Sequence, residues 1–182
     1  LAREFLAYTR LPAAQLVIRR AGFVDQMPEE ISINDQGARF ANAISQAGPE
    51  VSLTDLQTMV QTLTPFSRLT ISFRFEAGST LLDAQSRSNV EQLATALESG
   101  LYDGKELMFV GFSDSSGDAS SNKRIALTRA NAVRRAVQLA ASDAKAQRLT
   151  LRTEAFGEAM PMACDDSKWG RQVNRRVEVW LR

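Results

Sequence analysis

From Arg68 onward the apolar residues keep switching between a two-residue and a 3.6-residue spacing. That alternation restricts the chain to folds in which helices lie against a sheet. Leu69, Ile71, Phe73 and Phe75 alternate with Thr70, Ser72 and Arg74, which is the pattern of a half-buried strand. Val90, Leu93, Ala94 and Leu97 fall on one helical stripe, closed by Gly100. Leu107 to Val110 is a continuous apolar run before Gly111 and reads as a central strand buried on both faces. A long helix is expected from Ser121 to Ala141, and strand alternation returns at 148–155 and 176–181. The order strand, helix, strand, long helix, strand, turn, strand predicts an α/β two-layer sandwich over residues 68–182. Its helices pack on a mixed four-stranded sheet.

Upstream the signals are helical. Ser52 with Asp55 three residues on is an N-terminal capping pattern. Leu53, Leu56, Val60 and Leu63 then give a helix over 53–63. A shorter helix is expected from Asn34 to Gln46, ended by Gly48-Pro49, after a polar, proline-containing stretch at 27–34. Residues 27–67 therefore read as a helical linker. Residues 1–26 are apolar and punctuated by arginine, with Pro12 suited to a first helical turn and Gly22 to a C-cap. Leu6, Leu16, Val17 and Ile18 form an apolar face there, and a patch of that kind favours self-association to a homodimer. The chain begins at Leu1 without a signal-like core and reads as a piece of a longer precursor, its signal peptide and upstream domain lying outside it.

Composition narrows the chemistry. The chain of 182 residues contains no histidine, which excludes imidazole catalysis and His-ligated zinc within it. Its single cysteine, Cys164, excludes an internal disulfide and a Cys-rich metal site, and lacks the surroundings of a nucleophile. Twenty-two Lys and Arg against 21 Asp and Glu give a net charge of +1, with no global field to hold a nucleic acid. No run approaches the roughly 18 apolar residues of a membrane span. No metal, cofactor or catalytic residue is implied, and the chain reads as a non-enzyme.

Two stretches carry the candidate site. Asp114 falls just beyond the central strand, where open α/β sheets tend to bind ligands. On the long helix Arg129 shares a face with Ile125, Val133, Ala136 and Ala140, so it is expected to point inward. An inward guanidinium needs a carboxylate or a ligand, and Asp114 serves either a structural pair or a binding pair. In the last strand Arg176 shares a face with Glu178 and Trp180, the pattern of an edge strand with its charges outward. Trp169 and Trp180 read as packing residues, and Asp165-Asp166 as a solvated pair.

Together these stretches resemble the OmpA-like peptidoglycan-binding domain, the C-terminal module of OmpA, Pal and MotB-type envelope proteins. The resemblance rests on Gly111-x-x-Asp114-x-x-Gly117, Asn122, Arg129-Ala130 and Asn174-Arg175-Arg176-Val177-Glu178. Phe73-x-Phe75, Gly157-Glu158 and Pro161 extend it over residues 68–182. Phe112-Ser113 stands where the family commonly has His-Thr, and Ile125-Ala126 where it has Leu-Ser. The resemblance implies non-covalent capture of the diaminopimelate residue of the peptidoglycan stem peptide, in the periplasm and at the cell wall. Asp114 would accept from the ligand ammonium and Arg129 would grip its carboxylate. Ser115, Ser116 and the amides of their loop would add donors, while Phe75 and Ser79 would border the ligand. Asn122 would either pin the loop or touch the ligand, and Arg176 would either reach the pocket or stay solvated.

A second resemblance covers only the front of the chain. Phe5, Tyr8, Gln15, Gly22, Phe23 and Val24 are similar to the closing helix and tail of PstS-like phosphate-binding periplasmic receptors. It implies that residues 1–26 are the end of an upstream solute-binding domain. The alternative function is then a phosphate ABC-transporter-type receptor in which the C-terminal module only mediates assembly. Wall hydrolysis is disfavoured, since no histidine, zinc site or carboxylate pair supplies the chemistry.

Overall fold

The computed structural model describes residues 1–9, 11–22, 28–75, 79–142 and 149–182. Its elements run in the order α1 (Ala2–Thr9), α2 (Pro12–Arg20), β1 (Glu30–Ile31), a 3₁₀ turn (Ile33–Gln36), α3 (Gly37–Ser45), α4 (Leu53–Leu63), β2 (Ser67–Arg74), α5 (Ala84–Glu98), β3 (Glu106–Phe112), α6 (Ala119–Ala140), β4 (Thr150–Gly157), α7 (Lys168–Asn174) and β5 (Arg176–Leu181). The sheet order is β1-β2-β5-β3-β4. Only β3 and β4 run parallel; the other neighbours are antiparallel.

The expected mixed sheet with packed helices is present, with five strands rather than four. The extra strand is β1, where Glu30 and Ile31 pair with Leu69 and Arg68 at the sheet edge. Two residues in a polar stretch have no period of their own, so only the neighbouring strand reveals them. The part of the last-but-one strand expected at residue 148 lies outside the described residues; β4 starts at Thr150.

Side-chain alternation divides the core in two. Leu69, Ile71, Phe73, Leu107, Phe109, Val177, Val179 and Leu181 face α5 and α6, meeting Leu93, Leu97, Val133 and Val137. Met108, Val110, Phe112 and Trp180 face the opposite way, onto Ala43 of α3 and Leu56, Met59 and Leu63 of α4. The segment read as a linker thus supplies the cover for the second face of the sheet. Its helix α4 carries both arms of the capping box between Ser52 and Asp55.

The expectation of β5 as an edge strand is corrected. It lies between β2 and β3, and all six of its residues are buried. A middle strand tolerates Arg176 and Glu178 because the two charges meet each other beneath α3, at 2.7 Å from Nε to Oε1.

Among the described residues neither core includes one from α1 or α2, although Ala14 and Gln15 of α2 are buried. α1 buries no residue, and Phe5, Leu6, Tyr8, Leu11, Leu16 and Val17 are all exposed.

Candidate functional site

The site forms where the parallel strands β3 and β4 end side by side. The Ser113 amide donates to the Gly157 carbonyl at 2.9 Å, tying the two exits together. The chain then turns into α6, whose N-cap is Asp118; its Oδ1 accepts from the Ser121 amide at 2.8 Å. Hydrogen bonds from the Ser120 hydroxyl and the Ser121 amide hold the Asp118 carboxyl at about 2, so the helix start is capped by an anion across the physiological range.

Asp114 is 6% exposed and sits at the base of this turn. Its Oδ2 forms an ion pair with Nη1 of Arg175, and its Oδ1 accepts from the Ser116 amide at 3.0 Å. Arg129 is 5% exposed, with its guanidinium 5.2 Å from the centre of the Phe75 ring. Its Nη2 makes one long hydrogen bond, 3.4 Å, to the Ser79 carbonyl. Among the described residues its buried Nε has no hydrogen-bond partner and no carboxylate forms an ion pair with it. Burial lowers the Arg129 pKa, the Arg175 charge lowers it further, and Asp114 opposes both. Two guanidiniums therefore flank one carboxylate, an arrangement with positive charge to spare for an incoming anion.

Of the residues expected at the site, the fold gathers Asp114, Arg129, Phe75 and Ser79. Ser115 and Ser116 lie on the same loop with exposed side chains, but their amides already donate to Asp165 and Asp114. Asn122 is buried and donates to Glu158 Oε2 at 2.7 Å, which pins the start of α6 to the turn after β4. Arg176 is not brought to the pocket. It lies on the opposite face of the sheet, stacked 4.3 Å from the Phe112 ring, donating to Glu178 and to the carbonyls of Met160 and Asn174. The residue that meets Asp114 is its neighbour Arg175, which the sequence reading passed over.

The helical wheel also needs correction. Ile125 is 42% exposed and Ala140 is exposed, so the stripe centred on Arg129 is not the packing stripe. The buried line is Ala126, Ala130, Val133 and Val137, with Arg129 beside it. Small residues are selected there because α6 lies directly on β3: a Cβ at Gly111 would come within 2.1 Å of the Ala126 carbonyl oxygen.

Trp180 is fully buried as a packing residue, whereas Trp169 is exposed. Cys164 is exposed. Asp165, read as solvated, instead accepts from the Ser115 amide and from the Asn174 carboxamide. Among the described residues no group of three His, Cys, Asp or Glu side chains is placed to hold a metal ion. No helix among them is long and apolar enough to cross a membrane.

Comparison with known proteins agrees with this fold. The chain is 29% identical over 107 residues to the probable lipoprotein YiaD of Escherichia coli K12; the match covers 59% of this chain and 46% of that protein's length. Among solved structures it resembles the peptidoglycan-associated lipoprotein from Burkholderia pseudomallei, with a TM-score of 0.53 and 23% identity, over 61% of this chain and 89% of that one. The C-terminal domain of Helicobacter pylori MotB gives a TM-score of 0.51 at 24% identity, over 62% and 84% of the two chains. At such identities these structures show a shared fold. The likeness of residues 1–26 to a phosphate-receptor tail gains no support from these relatives, and Phe23 and Val24 lie outside the described residues. The OmpA family description matches residues 74–175, more than half of the sequence, and the chain belongs to that family.

Proposed function

We propose that this protein is a non-catalytic wall anchor that holds peptidoglycan through the diaminopimelate residue of its stem peptide, on the periplasmic side of the envelope. The observation that carries the reading is Arg129: a buried guanidinium whose Nε has no partner among the described residues, beside a carboxylate already engaged by Arg175. A zwitterionic amino-acid end fits this charge pattern. Its carboxylate takes the two-point grip of Arg129, and its ammonium lies against Asp114, which the contact with Arg175 holds in orientation. The Phe75 ring under Arg129 and the Ser79 carbonyl border the ligand. The peptidoglycan-associated lipoprotein and the MotB C-terminal domain share this fold.

Selectivity follows from the zwitterion. Peptides ending in diaminopimelate are expected to bind more tightly than those with lysine, which lacks the distal carboxylate. Arg129→Ala and Asp114→Ala are each expected to lose about 2–5 kcal/mol, roughly 30-fold to several thousand-fold in affinity. Arg129→Lys is expected to rescue poorly, since an ammonium does not reproduce the planar fork. Calorimetric titration with both peptides, pelleting with purified sacculi and Tm on the same variants test this. Equal affinity for the two peptides, or folded variants that still pellet, would remove the assignment.

A further inference from the structure

The loop carrying Asp114 is fastened from outside by a residue that belongs to neither charge of the ligand pair. Asp165 Oδ2 accepts from the Ser115 amide at 2.6 Å, and Oδ1 accepts from Asn174 Nδ2 at 2.6 Å. Asn174 is wholly buried and all its carboxamide capacity is engaged. Its Oδ1 accepts from the amides of Met162 and Ala163 at 2.7 and 3.1 Å, and its Nδ2 also donates to the Ala163 carbonyl at 2.8 Å.

Helix α7 holds this arrangement from the other side. Arg171 donates to the Asp165 carbonyl at 2.6 Å. Gly170 permits the approach, since a Cβ there would meet the Cys164 carbonyl oxygen at 1.9 Å. Asp165 is thus fixed at its carbonyl and at one carboxylate oxygen, while its other oxygen faces the ligand loop.

We propose that Asp165 is a positioning residue for ligand capture. Held by Asn174 and Arg171, it fixes the peptide unit between Asp114 and Ser115. This keeps the Asp114 carboxylate on Arg175 rather than letting it swing to Arg129, so Arg129 stays open for the ligand. The inference rests on the wall-binding reading above. It assigns a role to the first acid of the Asp165-Asp166 pair and to Asn174, neither of which touches the ligand in this scheme. An exposed turn with a local serine-rich sequence gains its order from a contact 50 residues away in the chain.

The test compares wild type, Asp165→Ala, Asp165→Asn and Arg129→Ala by two readouts. Hydrogen exchange of the Ser115–Gly117 amides is followed without ligand, and affinity for the diaminopimelate peptide is titrated at several salt concentrations. Asp165→Asn keeps the size of the side chain but leaves one oxygen for two donors, so it decides the matter should the alanine variant lose its fold. Both variants are expected to exchange the loop amides faster and to bind about 10-fold to 100-fold more weakly, with an unchanged salt slope. Unchanged exchange, or faster exchange with wild-type affinity, would overturn the clamp while leaving the pocket intact if Arg129→Ala still abolishes binding. A changed salt slope with unchanged exchange would make Asp165 a direct ligand contact and overturn it as well. Wild-type protein that fails to bind would overturn the wall-binding reading and this inference with it.

Discussion

Arg129 and Arg176 are buried almost equally, at 5% and 2% exposure, and stack on Phe75 and Phe112 respectively. Their surroundings differ in the number of acceptors. Arg176 donates to one carboxylate and two carbonyls, so its burial is compensated within the fold. Glu178 is in turn fully engaged: it accepts from Arg176, from Arg39 of α3 at 2.6 Å and from the Trp180 indole at 3.2 Å. Burial alone would raise the Glu178 pKa, but the Arg176 and Arg39 guanidiniums outweigh it and hold the carboxyl at about 2, against an ordinary 4.5. A depressed folded-state value means that this ionisation stabilises the protein above about pH 4.5. The contribution is lost as pH falls from there towards 2. Glu178→Gln is therefore expected to cost about 3–5 kcal/mol at neutral pH, because two guanidiniums then face a neutral amide. It is also expected to flatten the dependence of stability on pH in that acid window. Urea unfolding of both proteins from neutral pH down to pH 2 checks the idea; an unaltered acid slope in the variant would show that another carboxylate sets it.

At the scale of elements the decisive contact is the seat of α6 on β3. The helix carries Arg129 and the strand leads to Asp114, so the spacing between them sets the spacing of the two groups proposed to hold the ligand. Gly111→Ala places a methyl group where the Ala126 carbonyl oxygen lies, and backbone cannot rotate away as a flexible side chain would. The variant is expected to lose about 1–3 kcal/mol, with affinity for the peptide falling more than that of other variants of equal stability. Tm and titration on one preparation separate the two effects. The elements that were legible in the sequence are those whose periods close within themselves. β2 and β3 announced themselves by alternation and by a double-faced run, and α4 by its stripe and capping box. α7 was missed because its seven residues are held by the Ser167 cap and by packing on Cys164, not by an amphipathic stripe. The choice between Arg175 and Arg176 was equally invisible. Both follow Asn174, and only the bend from α7 into β5 decides which one meets Asp114.

For the molecule as a whole, the sequence led to a boundary at residue 68, yet the sheet is covered on its second face by residues before it. Leu56, Met59 and Leu63 of α4 lie on Met108, Val110, Phe112 and Trp180, and Arg39 of α3 completes the shell of Glu178. Whether an amphipathic helix packs on a distant sheet is a tertiary fact that its own period does not contain. Two truncations therefore have opposite expected outcomes. Removing residues 1–26 takes away α1 and α2, which hold the exposed apolar side chains Phe5, Leu6, Tyr8, Leu16 and Val17. That deletion is expected to leave Tm and sacculus pelleting unchanged and to shift any dimer towards monomer in sedimentation. Removing residues 1–66 strips the second face of its cover. It leaves Trp180 and Phe112 in water and Glu178 with Arg176 as its remaining guanidinium partner within hydrogen-bond reach. Each fully buried large apolar side chain contributes on the order of 1.5–3 kcal/mol, so the loss of several exceeds the usual margin of about 5–15 kcal/mol once the exposed charge is added. The shorter piece is expected to aggregate or to bind a hydrophobic dye without a cooperative melting transition. A piece starting at residue 67 that melts cooperatively near the full-length Tm would show instead that α3 and α4 are an attached cap and that the OmpA-family module folds without them.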